Sequence, residues 1–179
     1  MSTCRLLLLT LPLLVASTTP VQALPGFRIL PPRSTEQQTY QQSRELALRL
    51  VRTALPTLVR GDTRIARRVL IALQRARFEA SSDMRSRNTC TARHFSLFVN
   101  ANFRDTIFVC DEVRPHARHA GQDAVDRIAQ GFVHEAVHLA GEMDECVATS
   151  FELAVMDRSI GVRSNGSLLR YGRECRGRL

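Results

Sequence analysis

The sequence has no lysine, no tryptophan, no cysteine pair at C-x-x-C spacing and, beyond its first two dozen residues, no long apolar run. Without C-x-x-C spacing, a cysteine-rich zinc site has no framework. No later segment approaches the roughly 20 apolar residues that a membrane helix needs, so no stable membrane insertion is expected. All 25 basic residues are arginine and the formal net charge is +8. Exclusive use of arginine fits the codon bias of a GC-rich genome. With only two tyrosines, and with acids interleaved among the arginines, base stacking has few platforms, and no nucleic-acid partner is expected. The arginine-rich tail, residues 170–178, leaves room for weak contact with an anionic envelope surface. There is no internal repeat and no low-complexity tract.

What is present begins with a leader pattern. Met1 to Arg5 is a short basic start, Leu6 to Ala16 is apolar but interrupted by Pro12, and Val21-Gln22-Ala23 offers small residues to a signal peptidase. Residues 1–23 therefore read as a signal peptide, and the chain as secreted or periplasmic. No cysteine follows the apolar run at the cleavage site, so a lipid anchor is not expected. Residues 24–34, with three prolines, read as an extended lead-in, and residues 35–179 as one domain long enough for a real core. Cys90, Cys110, Cys146 and Cys175 remain after the leader; an even count in an exported chain reads as two disulfides. Of the three possible pairings, Cys90–Cys110 and Cys146–Cys175 keep each loop local and are favoured.

Periodicity predicts a helix over 35–55, limited by Pro56, and a second after Gly61 with Asp62 or Thr63 as N-cap. The second helix has Ile65, Val69 and Leu73 on its apolar face, while Arg64, Arg67, Arg68 and Arg75 opposite read as a solvated face. Residues 81–91 look like a loop. Phe95, Leu97 and Val99, then 106–109, read as two strands around an Asn100-Ala101-Asn102 turn, bracketed by Cys90 and Cys110. Residues 115–121 read as a loop carrying His116 and His119. A helix follows from an Asp123 N-cap to Ala140, stopped by Gly141, and Asp144 caps another from Glu145 to about Met156. The fold expected is α+β and mainly helical, with a small β-hairpin or sheet.

The chemistry-bearing feature is His134-Glu135-Ala136-Val137-His138. Four residues apart on a helix, the two imidazoles leave from one face, one turn apart, and can reach a single zinc ion. Glu135 sits on the adjacent flank, placed to take a proton from water held by the metal. A catalytic zinc needs three protein ligands and an open position, and acids follow at once: Glu142, Asp144 and Glu145.

The stretch from His134 to Thr149 resembles the zincin metallopeptidases. Asp144-Glu145-Cys146-Val147-Ala148-Thr149 is similar to the D/N-E-x-x-A/S-D/T box of gluzincins, which implies that Glu145 is the third zinc ligand. The departure is the short gap of seven residues from His138 to Glu145. A second resemblance, to metzincins through His134, His138, Gly141 and Asp144, makes Asp144 the rival third ligand, and Glu152 is a further candidate on a face similar to that of Glu145. The resemblance covers about residues 120–157. It implies a zincin-like active-site helix, a turn and a ligand helix, with one zinc ion and a peptide or protein substrate. Hydrolysis of an amide bond would use Glu135 as general base. His94, His116, His119 and Tyr171 are candidates for orienting a ligand or an oxyanion, with Tyr171 drawn toward the metal by a Cys146–Cys175 bond. Two other readings stay open: a non-catalytic envelope protein with a structural or vestigial zinc site acting in partner binding, and an arginine-rich binder of anionic polymers.

Overall fold

The computed structural model describes residues 24–93, 96–160 and Cys175. Helix α1 (Thr35–Ala54) opens at Ser34, whose hydroxyl accepts the Gln37 N–H at 3.2 Å and so satisfies one of the first turn's orphan donors. Its buried stripe includes Ala47, Leu48, Val51 and Ala54. Pro56 turns the chain through a short 3-10 segment, Leu55–Thr57. Helix α2 (Arg60–Arg75) buries Ala66, Val69 and Leu73. It starts at Val59 without a side-chain cap, not at Asp62 or Thr63. Asp62 instead lies in the first turn, where a negative charge suits the helix dipole.

Four strands, β1 (Phe27–Ile29), β2 (Arg77–Ser81), β3 (Leu97–Val99) and β4 (Thr106–Val109), form one sheet in the order β1-β2-β4-β3. The expected strand pair is present: β3 and β4 run antiparallel, with Leu97 opposite Val109 and Val99 opposite Ile107. The lead-in supplies β1, antiparallel to β2, and β2 runs parallel to β4. Strand β2 alternates polar Arg77, Glu79 and Ser81 with apolar Phe78 and Ala80, but Glu79 and Ser81 are buried as well. It also follows α2 after a single residue, Ala76, with no glycine or proline to mark the change.

Two segments read as loops are helical. Helix α3 (Met84–Arg93) lacks an apolar stripe. The Asp83 carboxylate instead caps it, accepting the Arg85 and Ser86 N–H groups at 2.8 and 3.1 Å, and a Cys90–Cys110 disulfide ties it to the end of β4. Helix α4 (Arg114–His119) begins with Pro115 in its first turn, where a missing N–H costs nothing, and it buries Arg114 and Ala117.

Helix α5 (Gln122–Leu139) is the centre of the molecule, packed against α1, α2, α4 and α6 and against β3 and β4. It starts at Gly121, so Asp123 lies in its first turn rather than capping it. At Gly131 the helix approaches β3 so closely that a Cβ would stand 2.5 Å from Leu97 Cδ1. The helix ends at Gly141, in the left-handed region with φ 93°. There the Gly141 N–H donates to His138 O (2.9 Å) and the Glu142 N–H to Val137 O (3.1 Å), the double closure of a Schellman motif. Helix α6 (Glu145–Ile160) starts at Asp144, whose Oδ1 accepts the Cys146 N–H at 2.8 Å.

The main core lies between the helices and one sheet face, where Phe78 of β2 stacks on Phe132 of α5 at 4.5 Å. A smaller cluster on the other face gathers Phe27, Phe98 and Phe108 around Cys90 and Cys110. A buried ion pair joins α4 to α1: Arg114 Nε and Nη2 reach the two oxygens of Glu36 at 2.6 and 3.1 Å, and Nη1 donates to the Ser81 carbonyl of β2. Tyr40 donates its phenol to the same carboxylate at 2.7 Å. The second disulfide joins Cys146 of α6 to Cys175, so both pairings are the local ones, and both suit an oxidising compartment. Among the described residues, no helix is long and apolar enough to cross a membrane.

Candidate metal centre

The Schellman stop at Gly141 and the Asp144 cap confine the chain reversal between α5 and α6 to five residues, 140–144. This brings the first residue of α6 back over the last turns of α5. His134, His138 and Glu145 each offer one ligand atom within 4.8 Å of the others, the group among the described residues that could hold a metal ion. Glu145 Oε2 stands 3.1 Å from His134 Nε2 and 3.5 Å from His138 Nε2. Donors about 2.0–2.1 Å from a tetrahedral zinc lie roughly 3.3 Å apart, and the two distances bracket that edge.

The outer nitrogens of both rings are pinned. His138 Nδ1 meets the Glu142 carbonyl at 2.7 Å; a carbonyl can only accept, so Nδ1 carries the proton and Nε2 is the nitrogen turned toward Glu145. Among the described residues His138 Nε2 is buried with no hydrogen-bond partner beyond the 3.5 Å approach of Glu145 Oε2, which fits a coordinating lone pair. His134 Nδ1 meets Glu152 Oε2 at 3.1 Å, and Glu152 Oε1 accepts from Gln130 Nε2 at 2.5 Å. Such partners fix the tautomer and ring direction of a metal-binding histidine. The donor set therefore fits a divalent metal: two imidazole nitrogens and one carboxylate oxygen converge, with their far sides held.

Charge follows geometry. Burial opposes a proton on His134, but the carboxylates of Glu145, Glu152 and Glu135 outweigh it and push the imidazole up to about 10. His138 is also buried, and Glu145 and Glu135 raise it too. In return, the two imidazoles hold the Glu145 carboxyl far below the usual carboxylate range, against its own partial burial. The acids thus create a site for positive charge, whether that charge comes as protons or as a cation. The imidazoles are 9% and 6% exposed at the side chain and Glu145 is 45% exposed, so the group opens to solvent on the Glu145 side. Glu135, buried beside them on α5, is near enough to raise both imidazoles.

The three acids weighed as third ligand occupy three different places. Glu145 joins the histidines; Asp144 caps α6; Glu152, 2% exposed, holds the back of His134. Thr149, last in the acidic box, is fully buried and its hydroxyl has no partner among the described residues, so Glu152 rather than Thr149 supports the ring. Gln130 was not anticipated, although it lies one turn before His134 on the same face of α5. His116 and His119 lie exposed on α4, outside the group, where His119 Nδ1 meets the Pro115 carbonyl at 2.6 Å. His94 and Tyr171 lie outside the described residues.

Removing the second carboxylate tests this arrangement. Glu152→Ala is expected to weaken metal binding about 10–100-fold while leaving all three ligand atoms in place. Competition against a colorimetric chelator measures it; unchanged affinity would show that His134 needs no such support. No family model matches the chain, and no curated protein or solved structure matches it, so the reading of the centre rests on the donor geometry itself.

Proposed function

We propose that the protein is an exported zinc metallopeptidase of the zincin kind, in which His134, His138 and Glu145 hold one zinc ion and Glu135 is the general base. The observation that carries this reading is the convergence of two buried Nε2 atoms and one carboxylate oxygen beside a second carboxylate. Three protein ligands of N, N and O type leave one tetrahedral position open, the pattern of catalytic rather than structural zinc. A zinc ion here would act as a Lewis acid on a carbonyl oxygen and lower the pKa of water toward about 7.

The chain's own groups supply the rest. Glu135 takes a proton as water adds to the carbonyl carbon, and returns it to the nitrogen as the C–N bond breaks. Glu152 and the Glu142 carbonyl keep both rings aimed throughout. The leader pattern of residues 1–23 and the two disulfides support an extracytoplasmic setting. The test is a mixed peptide library presented to the oxidised, zinc-loaded protein. Cleavage that stops with chelator and returns with zinc is expected. A zinc-loaded protein that cuts nothing would instead mark the centre as structural or vestigial, in a protein that binds a partner.

A further inference from the structure

Helix α2 carries Arg60, Arg64, Arg67, Arg68 and Arg75 on its outer side, all exposed, with Ile71 among them. At 3.6 residues per turn these six positions fall within an arc of about 100°, with Ile71 near its middle. None of the five guanidiniums forms an ion pair with a described acid. Asp62 is the helix's only acid and lies off that arc. Ile71 is 50% exposed and Val59, at the helix start, 66%. Alongside runs a groove of about 360 Å³ lined by Arg68, Arg75 and Arg104, by Asp105, and by the apolar Ile71, Ala72, Leu139 and Ala140.

Unpaired arginines alone suit any polyanion. Apolar Ile71 near the centre of the same face, with a partly apolar groove beside it, asks for a ligand with an anionic layer over an apolar one. A nucleic acid offers phosphate but no apolar layer, and its bases would find no aromatic side chain on this face. A bilayer with acidic headgroups offers both at the depth that an interfacial helix samples.

We propose that the outer face of α2 docks the protein on anionic phospholipid membranes, with the five arginines at the headgroups and Ile71 entering the boundary beneath. The groove reaches Leu139 and Ala140, which directly follow His138, so the docked face and the metal centre share the C-terminal end of α5. This proposal does not depend on catalysis at that centre.

Co-sedimentation of the mature protein with vesicles tests it. Phosphatidylcholine vesicles containing phosphatidylglycerol should retain the wild type, and pure phosphatidylcholine vesicles should not. Retention should fall steeply with salt. Replacing Arg64, Arg68 and Arg75 together by Gln should weaken partitioning on the order of a hundredfold, at about 1 kcal/mol or fivefold per arginine. Ile71→Ser should lower the retention that survives in high salt. An equal change in net charge elsewhere, at exposed Arg28, Arg85 and Arg127, should cost far less. Equal losses from the two triple variants would overturn the proposal in favour of diffuse attraction to a basic protein. So would salt-insensitive retention of the wild type, or retention on a DNA oligonucleotide without retention on acidic vesicles.

Discussion

Glu135→Gln is expected to lower peptide hydrolysis by about 10²–10⁴-fold while metal content stays that of the wild type. The amide has the shape of the carboxylate but cannot take a proton from water. Glu135 is not one of the three converging donors, so the change leaves the metal site intact. Single-turnover cleavage and metal analysis on the same preparation read both quantities. Loss of metal together with activity would show that Glu135 shapes the site and is not the base. Full activity in the Gln variant would place the chemistry elsewhere.

The second large effect lies far from the metal. Glu36 and Arg114 are 7% and 11% exposed at the side chain and form a two-pronged pair that binds α1, α4 and β2. Burial would raise the Glu36 carboxyl, but Arg114, Tyr40 and Arg118 more than offset it and hold the group below its ordinary 4.5. Arg114→Met leaves that carboxylate buried with much of its compensation gone, and should cost about 3–5 kcal/mol in denaturant unfolding. Adding Glu36→Gln to Arg114→Met should recover part of the loss, because the remaining group is neutral. A double variant no more stable than the single would mean that packing, not charge, governs the site.

The same pair gives a pH dependence of defined sign. A carboxyl whose folded pKa is depressed contributes stability above the unfolded value, here about 4.5, and loses it as pH falls through the lower folded value. Wild-type stability should therefore fall with acid below about pH 4.5, and Glu36→Gln should flatten that part of the curve.

The half of the fold that carries the candidate metal centre was legible because its signals are local. His134 and His138 share a helix face by spacing alone, Gly141 ends α5 because that backbone conformation favours glycine, and Asp144 caps α6 within three residues. The loop-local disulfides were legible for the same reason. What escaped is held by distant partners. Strand β2 is five residues long and begins one residue after α2, so the alternation of Phe78 and Ala80 with Arg77, Glu79 and Ser81 merges with the end of the helix pattern. Helix α3 lacks an apolar stripe and depends on a cap and a cross-link. Arg114 in α4 finds Glu36 across 78 positions, a pairing that no local pattern announces. Choosing among Glu145, Asp144 and Glu152 likewise needed the angle between α5 and α6, since all three acids lie within nine residues of one another in sequence. The arginine face of α2 was visible as a pattern, but exposed Ile71 at its centre became apparent only with the packing of α2 known.

The most direct test of the central claim is the metal content of the oxidised protein after exposure to zinc and gel filtration, wild type beside His138→Ala, Glu145→Ala and Asp144→Ala. About one zinc per chain is expected in the wild type and in Asp144→Ala, and little in the other two variants. A metal-free wild type, or zinc kept by both His138→Ala and Glu145→Ala, would contradict a centre built from His134, His138 and Glu145.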